Sequence, residues 1–141
     1  MEIRGHFTPE TEAAVREQYG SLAPVAETVT KEIAEANADT RTEYRDLIDS
    51  ETIETAQQAL FASLLEVQVG TTEAWESWLA EQEDFDVELA GTEPVSGRAW
   101  HPVWPREVVV AVSFEDRTDA AVSAVKRQAF GRHYRSMLEG K

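Results

Sequence analysis

Five consecutive apolar residues, Val108-Val109-Val110-Ala111-Val112, form the longest uninterrupted apolar run in this 141-residue chain. A run so rich in β-branched residues favours a strand, and a strand that is apolar on both faces has to be covered on both. It is far shorter than the roughly 20 residues of a membrane span, so its place is the centre of a buried sheet. The rest of the chain must supply the cover.

The first 83 residues read as mostly helical. Glu2 to Phe7 reads as a short strand, and Thr8-Pro9-Glu10 has the marks of a helix start: a capping hydroxyl, a proline at the first helical position and an acid in the first turn. That helix is predicted to run to about Tyr19, with Gly20 ending it. Ser21 caps a second helix, in which Leu22, Val25, Val29, Ile33 and Ala36 recur at three- and four-residue spacing as one stripe expected to be buried. Asp39 or Thr40 starts a short helix with Tyr44, Leu47 and Ile48. Ser50 caps a long one, with Ile53, Ala56, Leu60, Phe61, Leu64 and Val67 inward and Gly70 closing it. Thr71 or Thr72 opens a further short helix that places Trp75, Trp78 and Leu79 on one face.

The period then changes from helical to alternating. Phe85, Val87 and Leu89 alternate with Asp86, Glu88 and Ala90 as a half-buried strand bounded by Gly91 and Pro94. Val95 to Trp100 reads as another strand, and Arg106 to Phe114, containing the valine run, as a central one. Thr118 or Asp119 caps a last helix to about Leu138, where Val122, Val125, Ala129, His133 and Met137 form the apolar stripe. These elements predict an α+β fold. A small, mainly antiparallel sheet of three to four strands packs with five or six helices, in the order strand, four or five helices, three strands, helix. No repeat or linker divides the chain, so residues 1–141 are expected to form a single domain.

Charge narrows the function classes. The chain carries 27 acids against 13 bases, a formal net charge of -14, and only three of the bases are lysines. Self-repulsion on this scale is relieved by concentrated salt, which points to a salt-rich cytoplasm. The start, Met1-Glu2-Ile3-Arg4-Gly5, has neither a signal peptide's apolar core nor a myristoylation glycine, so a cytoplasmic protein off the membrane is expected. The charge is also uneven: 22 acids and five bases lie between Met1 and Gly97, but four acids and seven bases between Arg98 and Leu138. Nucleic acid is disfavoured as a partner, because most of the surface would repel phosphates.

Candidate sites follow from the basic third. Arg98, Trp100, His101 and Trp104 fall within seven residues, and Pro102 and Pro105 stiffen the backbone towards extended or turn geometry. Such a segment reads as an aromatic loop for binding a protein partner or a second copy of the chain, the other reading being a lid of tryptophans over one edge of the core. Gln128, Arg132 and Arg135 share a helical stripe and form a weaker candidate for a carboxylate or phosphate, although such residues more often hold acidic neighbours. His133 falls on the apolar face and reads as a core histidine with satisfied nitrogens. With no cysteine, disulfides, thiolate zinc sites and cysteine nucleophiles are excluded. The three histidines match no metal-binding motif, and no phosphate loop or nucleophile elbow is present, so no metal, cofactor or catalytic residue is assigned.

The segment Trp100-His101-Pro102, then Val108 to Phe114, then Arg127-Gln128-Ala129-Phe130-Gly131-Arg132-His133-Tyr134-Arg135 resembles a small family of uncharacterised proteins of halophilic archaea. The resemblance implies a halophilic cytoplasm and one integral domain, and it brings no activity or catalytic residue. Together these readings make a non-enzymatic interaction or self-associating module the expected function, its contact surface the Arg98–Trp104 loop. The alternative is a small anion- or metal-dependent hydrolase or ligand-binding enzyme using His101 and Arg132.

Overall fold

The computed structural model describes residues 1–91 and 95–139. They gather into two compact units, one made of Met1–Val15 with Ala62–Lys141 and the other of Arg16–Phe61. Pro94, expected to bound a strand, lies outside the described residues.

The first unit is built on a mixed five-stranded sheet. Its strands are β1 (Glu2–Arg4), β2 (Val67–Thr71), β3 (Asp86–Ala90), β4 (Gly97–Val103) and β5 (Val108–Phe114), in the spatial order β1-β2-β4-β5-β3. Three ladders are antiparallel, while β3 runs parallel to β5. The valine run is therefore interior, as a strand buried on both faces must be, and Val108 to Ala111 are all buried. Trp100 pairs with Ala111 and His101 with Val110 across the β4–β5 ladder. Alternation sends Trp100, Val109 and Ala111 to one face, where they meet Trp75 on helix α5 (Thr72–Ala80). His101 and Val110 go to the other face, under α6 (Thr118–Ala129). A π-helical turn at Phe130–Tyr134 follows α6 and leads into α7 (Arg135–Glu139).

The sheet corrects the expected architecture in two respects. It has five described strands in place of three or four, and α5 lies between β2 and β3. The missed strand is β2, which the sequence reading had absorbed into a long helix ending at Gly70. The helix stops at Ser63, and the carbonyl of Leu64 accepts bonds from the backbone N–H groups of His6 and Phe7, at 2.9 and 3.2 Å. Beyond it, Val67 and Val69 are buried and alternate with Gln68 and Gly70, the period of a strand. The chain turns beside this junction at Gly5, whose positive φ of 111° suits glycine and where a Cβ would collide with the carbonyl oxygen of Leu65. Pro102 is accommodated in an interior strand because β2 pairs with β4 only from Gly97 to Trp100, leaving one side of β4 unladdered at the proline.

In the second unit, α1 (Glu12–Ser21) leads to α2 (Ala23–Asn37), α3 (Arg41–Leu47) and α4 (Ser50–Ser63), with α1 beginning and α4 ending in the first unit. Helix starts move by a few residues from those expected. Thr11, not Thr8, caps α1 by accepting from the N–H of Ala14, while the Thr8 hydroxyl donates to Glu66. Asp49 caps α4 by accepting from Thr52, and these backbone and hydroxyl bonds hold its carboxyl below the usual range. Thr40 caps α3 and Thr71 caps α5, each one of the two residues that the sequence offered for that start. Among the described residues no helix is long and apolar enough to cross a membrane.

Candidate functional site

The Arg98–Trp104 segment is not the stiffened loop expected from its prolines. Residues 98–103 lie within β4, and Arg98, Trp100 and His101 are almost wholly buried. The reason is position: β4 is an interior strand with α5 packed on one face and α6 on the other. Trp100 enters an aromatic cluster, with ring centroids 5.3 Å from Trp75 and 6.2 Å from Trp78. Arg98 turns back on its own backbone and donates to the carbonyls of Val95 and Gly97, at 2.8 and 2.9 Å. Trp104 alone of the four is half-exposed, in a 3₁₀ turn at Trp104–Arg106, with its ring 5.0 Å from Phe85.

His101 is held from both sides. Its Nδ1 lies 2.5 Å from the carbonyl oxygen of Glu66 and its Nε2 2.6 Å from the Tyr134 hydroxyl. A carbonyl can only accept, so Nδ1 carries the hydrogen and Nε2 accepts from Tyr134. Burial pushes the His101 pKa down to about 4 and raises that of Tyr134, so both groups are neutral at ordinary pH. Tyr134 reaches the sheet from the π-helical turn. This irregularity was not expected from the helical pattern.

The same turn separates the residues assigned to an anion. Arg132 reaches Glu88 on β3 at 3.5 Å in an exposed ion pair of small worth, and the Arg135 guanidinium lies 5.2 Å over the ring of Phe130. The side-chain oxygen of Gln128 is buried without a hydrogen-bond partner among the described residues. The structure thus does not gather Gln128, Arg132 and Arg135 around one ligand, because the wider π turn changes the angular position of whatever follows it. His133 is buried with both nitrogens satisfied: Nε2 lies 3.0 Å from Glu88, and Nδ1 accepts from Arg106 at 3.2 Å. Burial opposes ionisation of Glu88, but the hydrogen bonds from His133 and Arg132 and the charge of Arg132 outweigh it and hold the carboxyl below its usual value. Among the described residues no group of three or more acids or histidines is arranged to hold a metal ion.

Exposed aliphatic side chains recur along α2, where the sequence reading placed core. Val25, Val29 and Ile33 are 47%, 37% and 56% exposed, and Leu47 on α3 is 39% exposed. The buried side of α2 consists of Ala26, Thr30 and Ala34, which recur at the same four-residue spacing. Two neighbouring stripes were available, and the helix buries its small one while leaving its large one to solvent. Beside the exposed stripe is a groove of about 240 Å³, lined by Thr30, Ile33 and Ala34 of α2, Leu47 of α3, and Thr52, Thr55, Ala56 and Ala59 of α4. Its lining is almost wholly apolar, and the Thr30 hydroxyl, buried at its edge, has no hydrogen-bond partner among the described residues. Contiguous apolar exposure of this kind marks contact surfaces. The signal in the sequence was the parallel run of Ala26, Thr30 and Ala34 next to the larger stripe.

Residues 6–135 match a family of unknown function (DUF5809). The chain belongs to this family. No curated protein and no solved structure matches it. The match to DUF5809 takes in strands β2 to β5 and the helices α1 to α4 alike, and it assigns no chemistry to either.

Two measurements check these placements. Trp100→Ala should lower unfolding free energy by about 3–5 kcal/mol, and Trp104→Ala by markedly less, since only the first empties a buried site; equal small losses in urea titrations would take Trp100 out of the core. An unfolded histidine titrates near 6.5 and buried His101 near 4, so between these values the unfolded chain takes up the proton first. Its contribution, on the order of 3 kcal/mol, should be complete above pH 6.5 and lost as pH falls towards 4. The stability difference between the wild type and His101→Gln should shrink over that window, and a difference constant with pH would contradict a neutral buried imidazole.

Proposed function

We propose that this protein is a non-catalytic interaction module whose contact surface is the aliphatic stripe of α2, working in a salt-rich cytoplasm. The observation that carries the reading is the exposure of Val25, Val29 and Ile33 on one side of a helix whose small residues are buried. Large aliphatic side chains in water are an unfavourable arrangement that a partner relieves, each on the order of 1 kcal/mol here because each is already partly covered. The contact role assigned to Arg98, Trp100, His101 and Trp104 passes to α2, because three of those four side chains have no surface to offer. The enzymatic alternative on His101 and Arg132 draws no support from the geometry. His101 spends both nitrogens on Glu66 and Tyr134, while Arg132 pairs with Glu88.

The salt-rich setting is supported by the net charge of -14 and the presence of only three lysines. Its expected outcome is a fold that loses stability in dilute buffer and regains it as potassium chloride approaches molar concentration, followed by circular dichroism. A melting temperature indifferent to salt would remove that part of the reading.

The contact surface is tested by capture from host lysate at matched salt, together with light scattering of the purified chain. The double variant Val29→Ser with Ile33→Ser should lose a stoichiometric companion that Trp104→Ala retains, with both variants folded by circular dichroism. A companion retained by the α2 variant would refute the assignment of this surface.

A further inference from the structure

The stripe and groove on α2 carry a further step, which rests on the contact reading above. We infer that the occupant is a basic amphipathic helix of another protein, with aliphatic residues on Val25, Val29 and Ile33 and one polar-tipped aromatic side chain in the groove.

Three observations lead there. First, the groove of about 240 Å³ lies below the roughly 300–1,000 Å³ usual for small-molecule sites, which suits the anchor of a partner better than a free ligand. Its lining includes one buried hydroxyl, Thr30 Oγ1, without a hydrogen-bond partner among the described residues. A tyrosine-like tip would satisfy that atom, which a plain hydrocarbon leaves bare.

Second, the surroundings are acidic. The unit Arg16–Phe61 carries ten acids against four bases, and Lys31 is already paired with Glu27 at 3.5 Å. Glu32 stands three residues on from Val29 and shares the border of its stripe, while Glu51 and Glu54 each precede a groove-lining threonine of α4. Exposed acids around an apolar strip select a partner whose own apolar face is flanked by lysine and arginine.

Third, a second copy cannot supply that partner. The one basic amphipathic helix among the described residues is α6 with its continuation to α7, and its inward-facing residues Val122, Val125, Ala129, His133 and Met137 are all buried in their own unit. The acidic face of another copy would meet like charge.

The test uses the full chain at the lowest salt at which its circular dichroism is native. It is titrated with a synthetic helical peptide of leucine and lysine bearing one central tyrosine, beside a leucine–glutamate counterpart and a version with phenylalanine for tyrosine. The basic peptide should bind and the acidic one should not. Val29→Ser with Ile33→Ser, which leaves the charge unchanged, should weaken binding at least about tenfold. Glu32→Gln with Glu51→Gln and Glu54→Gln should weaken it by a similar factor. Tyrosine should be preferred over phenylalanine by about fivefold, and Thr30→Val should remove the preference. Binding that survives the serine variant would mean attraction by net charge alone and would overturn the inference, as would equal binding of the acidic peptide. A dimer abolished by the serine variant in light scattering would overturn it in favour of a second copy. If neither peptide binds while the native companion still leaves the serine variant, the basic-helix inference fails and the contact reading stands; if the companion stays, the contact reading itself fails.

Discussion

The first unit depends on the antiparallel ladder between β4 and β5, seven residues paired from Gly97–Phe114 to Val103–Val108. β2 joins along β4 and β3 along β5, and β1 is added along β2. The ladder also sorts side chains by parity, so the neighbours Trp100 and His101 serve opposite faces. One is the centre of the tryptophan cluster under α5, and the other fixes Tyr134 beneath the π-helical turn. A slip of one residue would exchange these roles, placing an imidazole among indoles and an indole against the Glu66 carbonyl. A polar group buried without its partner is costly, so the two adjacent side chains reinforce the register that the apolar valines allow.

This explains why the segment richest in apparent binding chemistry is structural. Arginine, histidine and tryptophan close together are what a contact surface uses, but here each is turned inward: Arg98 onto its own backbone, His101 between a carbonyl and a phenol, and Trp100 among other rings. The prolines added to the confusion, since stiffness in a chain looks alike whether it belongs to a loop or to an extended strand. Pro102 is tolerated because its place in β4 is past the end of the β2 ladder, a fact about tertiary pairing that local sequence does not contain.

Elsewhere the sequence was legible where period and chemistry agreed. The valine run announced an interior strand, the hydroxyls of Thr40 and Thr71 announced helix starts, and the stripe from Val122 to Met137 announced the buried side of the last helix. Legibility failed where two patterns overlapped. From Leu60 to Val67 the apolar residues fit a helix as well as a helix followed by a strand, and what ends the helix is the arrival of the distant His6 and Phe7 at the Leu64 carbonyl. On the last helix, around the π turn, Arg132 goes to Glu88 and Arg135 lies over Phe130, while the Gln128 oxygen is buried without a hydrogen-bond partner among the described residues.

Helix α2 shows the same ambiguity with a functional consequence. Periodicity identifies apolar stripes but does not say which one a neighbouring element covers. Ala26, Thr30 and Ala34 face inward, which leaves Val25, Val29 and Ile33 with water against them. Concentrated salt screens the net charge of -14 at long range, but acids that border the stripe still act at contact distance, where they disfavour the acidic face of another copy. The same charge that keeps copies apart admits a partner of opposite sign, which is how an acidic surface and an exposed aliphatic helix fit together in one molecule.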